Sequence, residues 1–407
     1  MKKRLLFCGN GMSAEILEKL HNEYTIYVIT EFINDRGLEY ANKVVFANSK
    51  NPNEALQAAI DLYNDGYRFD AVLSLCWDCP MSVARIAEKF NLFGISYEVA
   101  ENSTIKSIRS DIFYQNNIPA PKHFLCNSYQ EVLIALEQLD FPIVLKPLSL
   151  SSSKGIVLVE DKESLFTSYN YCVNFDKNSQ LLVNEFITGT EYSTEGLMIN
   201  GNFYLTGISE RVFHYKKYKP FFVEIGDIMP VNLNTFEIEQ FRKITEKAAL
   251  SLGIDKGIVK GDLIYTTDKQ IKVFEITPRL GGPRFGTEMV PLSNGTNLLL
   301  AAIQQALGEK IDMENLKPKY RRGLVNKAIF PKEGIIDSIE GIEYIKTLPG
   351  YYDFKWLKDI PLKKGDVIEK AENMCGGVGY IIATGKNRED AILNANLIEK
   401  NIHIKTH

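Results

Sequence analysis

Apolar and polar positions change their period along this chain, and the changes divide it into three parts. Over residues 1–100, short apolar runs at Arg4–Cys8, Thr25–Thr30 and Ala71–Leu75 read as strands. Helical patterns at Ala14–His21, Pro52–Asn64 and Met81–Phe90 alternate with them. That rhythm predicts a small parallel sheet with helical crossovers. Gly9-Asn10-Gly11-Met12-Ser13 follows the first strand, but a third glycine and a ribose-binding acid are missing, so the stretch is a weak dinucleotide signal. A dehydrogenase reading built on it would leave the middle of the chain unexplained.

A second unit begins near Glu101. It has a helix at Ser103–Gln115 carrying Lys106 and Arg109 one turn apart, a helix at Tyr129–Leu139, and strands at Pro142–Lys146, Ile156–Glu160 and Leu181–Asn184. Longer strands at Tyr192–Ile199 and Asn202–Ser209 precede a helix at Thr235–Leu252, and another helix covers Asn294–Leu307. The last unit has strands at Gly323–Ile329 and Gly379–Thr384, a Gly/Asp turn at Lys364-Gly365-Asp366, and a closing helix at Arg388–Asn401. The domains expected are therefore 1–100, 101–310 and 311–407, the number that 407 residues permit.

The most informative stretch lies between residues 259 and 282. Val259–Thr266 and Ile271–Thr277 read as strands joined by a polar turn at Asp268-Lys269. With the turn centred there, Asp262 faces Glu275, and Thr277 shares the face of Glu275 because side chains alternate. Carboxylates set opposite each other repel unless something positive lies between them. A hard divalent cation suits that place, since Mg²⁺ takes one or two carboxylates together with substrate phosphates. Arg279 follows two residues later. Upstream, the loop from Ser149 to Gly155 is rich in small hydroxyl residues, whose N–H and O–H groups can wrap phosphate oxygens. Lys146, just before it, offers a point charge, although no P-loop pattern is present.

Bulk properties narrow the class. A net charge of −4 gives no basic field for nucleic acid, and no apolar run approaches membrane-spanning length. The six cysteines stand among apolar neighbours, as buried thiols do in a reducing compartment, so the expectation is a cytoplasmic protein. Cys76-Trp-Asp-Cys79 has the spacing of a redox or metal pair but lacks a second pair.

Together these segments resemble the ATP-grasp superfamily of carboxylate–amine ligases over roughly Lys106 to Leu307. The tail "EITPRLGGPRFGTEMVPLSNGTNLLLAAIQQALG" and the stretch "PFFVEIGDIMP" are similar to the L-amino-acid ligase group. The resemblance implies an α/β (α+β) chain: an N-terminal parallel α/β domain, a central two-lobed ATP-binding domain with a mobile lobe at about 143–190, and a small mixed C-terminal domain. It implies that Lys146, Ser151, Ser152, Ser153 and Gly155 meet the phosphates of ATP and that Lys106 also binds the nucleotide. Glu185, Phe186 and Ile187 in "VNEFITGTE" would then offer backbone groups to the base, and Glu191 would hold the ribose hydroxyls.

Asp262, Glu275 and Thr277 become the ligands of Mg²⁺ or Mn²⁺. Lys146 and Arg279 become the catalytic cations, with Arg279 steadying acyl-phosphate and tetrahedral species. His214, Glu224, Arg279, Gly281, Gly282 and Pro283 border the substrate. Two positions depart from the family pattern: Thr277 stands where an asparagine is usual and Asn184 where a hinge glutamate is usual, which bears on the number of metal ions rather than on the fold. The implied activity is amide formation between a carboxylate and an amine, one of them an amino acid, through an acyl phosphate with release of ADP and phosphate. The implied partners are those small molecules, with neither nucleic acid nor membrane, and a homodimer as in many members. The alternatives are a bicarbonate-activating carboxylase or carbamoyl-phosphate-type enzyme, and a catalytically idle ATP-binding module.

Overall fold

The computed structural model describes residues 2–9, 14–148, 153–175, 180–282, 284–357 and 361–407. Residues 10–13 of the glycine-containing loop, Ser151, Ser152 and Pro283 lie outside them. The N-terminal strands β1 (Arg4–Cys8), β2 (Thr25–Thr30), β3 (Lys43–Phe46) and β4 (Ala71–Leu73) form a parallel sheet in the order β3-β2-β1-β4. Both faces of β1 and β2 are buried, as the continuous apolar runs require of a sheet covered on two sides.

The strands β5 (His123–Cys126), β6 (Ile143–Pro147), β7 (Val157–Val159) and β8 (Leu181–Glu185) form a second, antiparallel sheet in the order β5-β8-β6-β7. The helices Tyr129–Ala135 and Lys162–Phe175 cover it, packing Val132, Leu165 and Cys172 into its core.

The largest sheet has eight strands, all antiparallel. It combines β9 (Gly189–Ile199), β10 (Asn202–Phe213), β11 (Glu224–Met229), β12 (Gly257–Thr266), β13 (Ile271–Thr277) and β14 (Gly323–Ile329) with two strands from the last part of the chain. That last part supplies β15 (Gly334–Glu340), β16 (Tyr351–Trp356), β17 (Val367–Ile368), β18 (Gly379–Gly385) and β19 (His403–Thr406). The large sheet runs β13-β12-β9-β10-β11-β14-β18-β16, and β17-β15-β19 form a small third antiparallel sheet. The molecule is thus a mixed α/β fold with a parallel sheet at its start and a large antiparallel sheet behind it.

Helix Leu298–Ala306 fixes the first sheet to the large one. Leu298, Leu299 and Ala302 pack in one core with Leu5 and Phe7 of β1 and with Leu197 of β9 and Ile258 of β12. On another side, helix Thr235–Ser251 begins with a reciprocal cap, Asn234 to the Glu237 N–H and Glu237 back to the Asn234 N–H. It buries Phe241, Ala248 and Ala249 against β9, β12 and β13.

Two elements differ from the sequence reading in ways that shape the cleft. The helix expected over Ser103–Gln115 breaks at Ile105 into Tyr97–Thr104 and Lys106–Gln115. The hydroxyls of Ser103 and Thr104 both donate to the Ala100 carbonyl (2.8 and 2.7 Å), an alternative to continuing the backbone ladder. Lys106 therefore opens a new helix. The strand expected over Asn202–Ser209 runs on to Phe213, which brings Arg211 onto the sheet.

Phe241 is fully buried, with its ring edge-on to Tyr192 at 5.0 Å. Phe241→Ala is expected to cost about 3–5 kcal/mol in chemical denaturation. Phe236, 70% exposed on the same helix, is expected to change stability by less than about 0.5 kcal/mol when cut to alanine.

Candidate active site

The β12–β13 hairpin reaches the predicted Asp262–Glu275 pairing through a bulge: its turn centres on Asp268, and the register shifts by one residue between Asp262 and Leu263. Asp262 pairs with Glu275, and the turn closes with Thr266 N–H to Gln270 O at 2.9 Å and Lys269 in the left-handed region (φ 63°). The two carboxylates point into a cleft of about 560 Å³ bounded by the large sheet, the β5–β8 sheet and the N-terminal unit.

Protein cations meet the carboxylates there. Arg211 of β10 lies 3.2 Å from Glu191, 2.7 Å from Glu224 and 3.4 Å from Asp262. Arg109 lies 3.3 Å from Glu275, and Lys260 bonds Asp262 and stands 3.9 Å from Glu275. The Ser193 hydroxyl donates to Asp262 at 2.6 Å. Burial pushes the Asp262 carboxyl up, but Arg211 and Lys260 outweigh it and hold it well below the usual range. Glu191 is shifted the other way, raised by burial that Arg211 and the Tyr215 hydroxyl only partly offset.

Opposite this wall, alternation along β6 and β8 turns Lys146, Leu182 and Asn184 into the cleft. Burial lowers the Lys146 ammonium to about 8, with the neighbouring cations Arg109 and Lys106 acting in the same sense and Glu191 opposing. The Lys106 ammonium donates to the Leu148 carbonyl at 3.0 Å. Arg279 closes the cleft on the third side, where its Nε meets Asp78 at 2.9 Å. Asp78 comes from the N-terminal unit; burial raises its carboxyl, and Arg279 outweighs that and holds it below the usual range.

The cleft gathers Lys106, Lys146, Ser153, Glu185, Phe186, Ile187, Glu191, Glu224, Asp262, Glu275, Arg279 and Gly282 from the expected set. Others lie elsewhere. His214 is exposed at the start of the short helix Tyr215–Tyr218 and does not line the cleft. Gly155 adopts φ +71° beneath Pro147 and Phe175. Thr277 is buried, and its hydroxyl has no hydrogen-bond partner among the described residues. The Gly281 N–H points inward to the carboxylate of Glu195.

Arg211, Lys260 and Asp78 escaped the sequence reading. Lys260 had a signal, since a residue two before Asp262 on a strand shares its face. Asp78 sat inside the Cys76–Cys79 spacing, whose thiols are free: the Cys79 thiol donates to the Cys8 carbonyl, and Cys76 sits 3.8 Å from the Thr287 hydroxyl.

The donor set fits one divalent cation. Asp262 and Glu275 face each other in the cleft and are the carboxylates that would hold it, with phosphate oxygens completing its shell. Among the described residues no group of three or more His, Cys, Asp or Glu side chains is placed to hold an ion by itself.

The ATP-grasp domain family matches residues 139–287, the segment that carries Lys146, Glu191, Asp262, Glu275 and Arg279. The chain carries an ATP-grasp domain. The L-amino acid ligase C-terminal domain 2 family matches residues 328–407. Alanine–anticapsin ligase of Bacillus subtilis is 22% identical over 303 residues, 68% of this chain and 62% of that protein, so the match spans less than two thirds of the relative. The uncharacterized protein y4rH of Sinorhizobium fredii is 25% identical over 343 residues, 83% of this chain and 69% of that one. The solved L-amino acid ligase from Bacillus licheniformis superposes with a TM-score of 0.83 at 22% identity, covering 100% of this chain and 99% of that one, a likeness of fold. No described helix is long and apolar enough to cross a membrane.

Glu195, wholly buried beneath the ATP-grasp cleft, has its carboxyl raised by burial to about 8. The folded protein then keeps a proton that the unfolded chain releases above about pH 4.3. Stability contributed by that proton is full at lower pH and is lost as pH rises toward 8. Glu195→Gln is expected to remove this fall, flattening the stability-versus-pH curve between pH 5 and 8 by up to roughly 1.4 kcal/mol per pH unit. Urea titrations at several pH values read it.

Proposed function

We propose that this ATP-grasp protein is an acid–amino-acid ligase that couples ATP hydrolysis to amide formation between a carboxylate and an amine, one of them an amino acid. The observation that carries the reading is the convergence of Lys146, Arg279 and the Asp262–Glu275 pair on one cleft. In this reading Lys146, Lys106 and Ser153 face the phosphates. Glu185, Phe186 and Ile187 border the base. Glu191 exchanges its Tyr215 and Arg211 contacts for the ribose hydroxyls.

Asp262 and Glu275, with Thr277 behind them, would hold Mg²⁺ or Mn²⁺, which when bound neutralises phosphate charge. The substrate carboxylate attacks the γ-phosphorus, breaking the bond to the β,γ-bridging oxygen and leaving ADP and an acyl phosphate. The amine then attacks the acyl carbon, and phosphate departs. Neither step needs a protein nucleophile; both need alignment and a fixed positive field. Lys146 faces the transferring phosphoryl group. Arg279, held by Asp78, steadies the tetrahedral species. Glu224, at the Arg211 end of the cleft, faces the substrate together with Gly282.

The test is to supply ATP and Mg²⁺ with single amino acids, paired amino acids or bicarbonate, and to follow phosphate release and product masses. ADP, phosphate and a mass equal to two substrates less one water are expected. Release that depends on bicarbonate would replace this reading with the carboxylase type. Nucleotide binding without turnover on any wider metabolite set would favour the idle module. Lys146→Ala is expected to weaken nucleotide binding by roughly 1.5–3 kcal/mol, the worth of a hydrogen bond to a charged group, measured by calorimetry. Arg279→Ala should spare binding and abolish turnover.

A further inference from the structure

Asp262 and Glu275 demand a positive group between them, and β12 itself supplies one. Lys260 lies two residues before Asp262 on the same strand, so both project from one face. Its ammonium bonds Asp262 Oδ2 and lies 3.9 Å from Glu275 Oε2. Across the ladder Lys260 pairs with Thr277 on one side and with the buried Glu195 on the other. Its side chain is only 10% exposed, and it lines the cleft.

From this placement we infer that Lys260 stands in for a second divalent cation, so that the nucleotide binds with one metal ion rather than two. The inference rests on the ATP reading above. An ammonium on Asp262 uses lone pairs that a second ion would need, and it repels that ion. Thr277 offers a single neutral oxygen at the position, a poor inducement to displace a bound cation. Arg109 and Arg211 close the flanks of the same carboxylates, so the ligands left for a dication are few. One dication, completed by phosphate oxygens, satisfies what remains.

The test counts ions on the full-length protein. Mn²⁺ and the non-hydrolysable β,γ-imido analogue of ATP are dialysed against it to saturation, and bound Mn²⁺ (by electron paramagnetic resonance) and bound nucleotide are counted together. One Mn²⁺ per bound nucleotide is expected. Lys260→Gln, which removes the charge, should raise the ratio to two, and Lys260→Arg should keep it at one. Two Mn²⁺ per nucleotide in the unaltered protein would overturn the inference while leaving the ATP reading intact, and this count decides even if the glutamine variant fails to fold. A ratio of one in a folded, nucleotide-binding Lys260→Gln variant would also overturn it. Absence of nucleotide binding by the unaltered protein would overturn the ATP reading and this inference with it.

Discussion

Carboxylates that face each other across a hydrogen-bonded ladder repel, and burying them adds a desolvation cost that only close, well-placed cations offset. Asp262 and Glu275 impose that condition on this chain, and much of the cleft is organised to meet it. Arg211 reaches Asp262 from β10, Arg109 reaches Glu275 from the helix Lys106–Gln115, and Lys260 joins the pair from the same strand as Asp262. Each cation belongs to a different element, so the charge balance also fixes how those elements stand relative to one another. The direction of the Asp262 shift records the result: burial opposes ionisation, and the surrounding cations win.

The same logic ties the N-terminal unit to the cleft. Arg279 follows the acidic hairpin, yet its partner Asp78 lies on the loop after β4, beyond the parallel sheet. The apolar contacts of helix Leu298–Ala306 with β1, β9 and β12 hold that loop in place. An interface built from hydrophobic packing thus orients a charge pair, and the pair orients a guanidinium in the cleft. Below it, Glu195 anchors the Gly281 N–H, so a buried acid supports the loop that carries Gly282 to the cleft edge.

Much of this was legible in the residues. Period-2 alternation and a polar turn pointed to Asp262 opposite Glu275, but the pairing is reached through a bulge between Asp262 and Leu263 that neither signal shows. The ATP-grasp resemblance and the mixed α/β layout also followed from sequence. What escaped reading depends on long-range pairing. Nothing local marks Arg211 as the shared partner of Glu191, Glu224 and Asp262, since those residues meet only when β9, β10, β11 and β12 assemble. Asp78 was hidden by the cysteines on either side of it, and its role exists only through a residue some two hundred positions away. The break at Ile105 came from two hydroxyl side chains competing with the helix, a contest that apolar periodicity does not register. Lys260 was readable in principle, as the neighbour of Asp262 on one face of one strand.

The central claim is that this charge-compensated cleft activates a carboxylate with ATP. The most direct measurement is oxygen-isotope transfer: the substrate carboxylate is labelled with ¹⁸O, and the released phosphate is weighed after a single round of turnover. An acyl-phosphate path predicts one labelled oxygen in the phosphate, carried there when the amine displaces it. Phosphate free of label, with both labelled oxygens retained on the organic product or lost to water, would contradict the account.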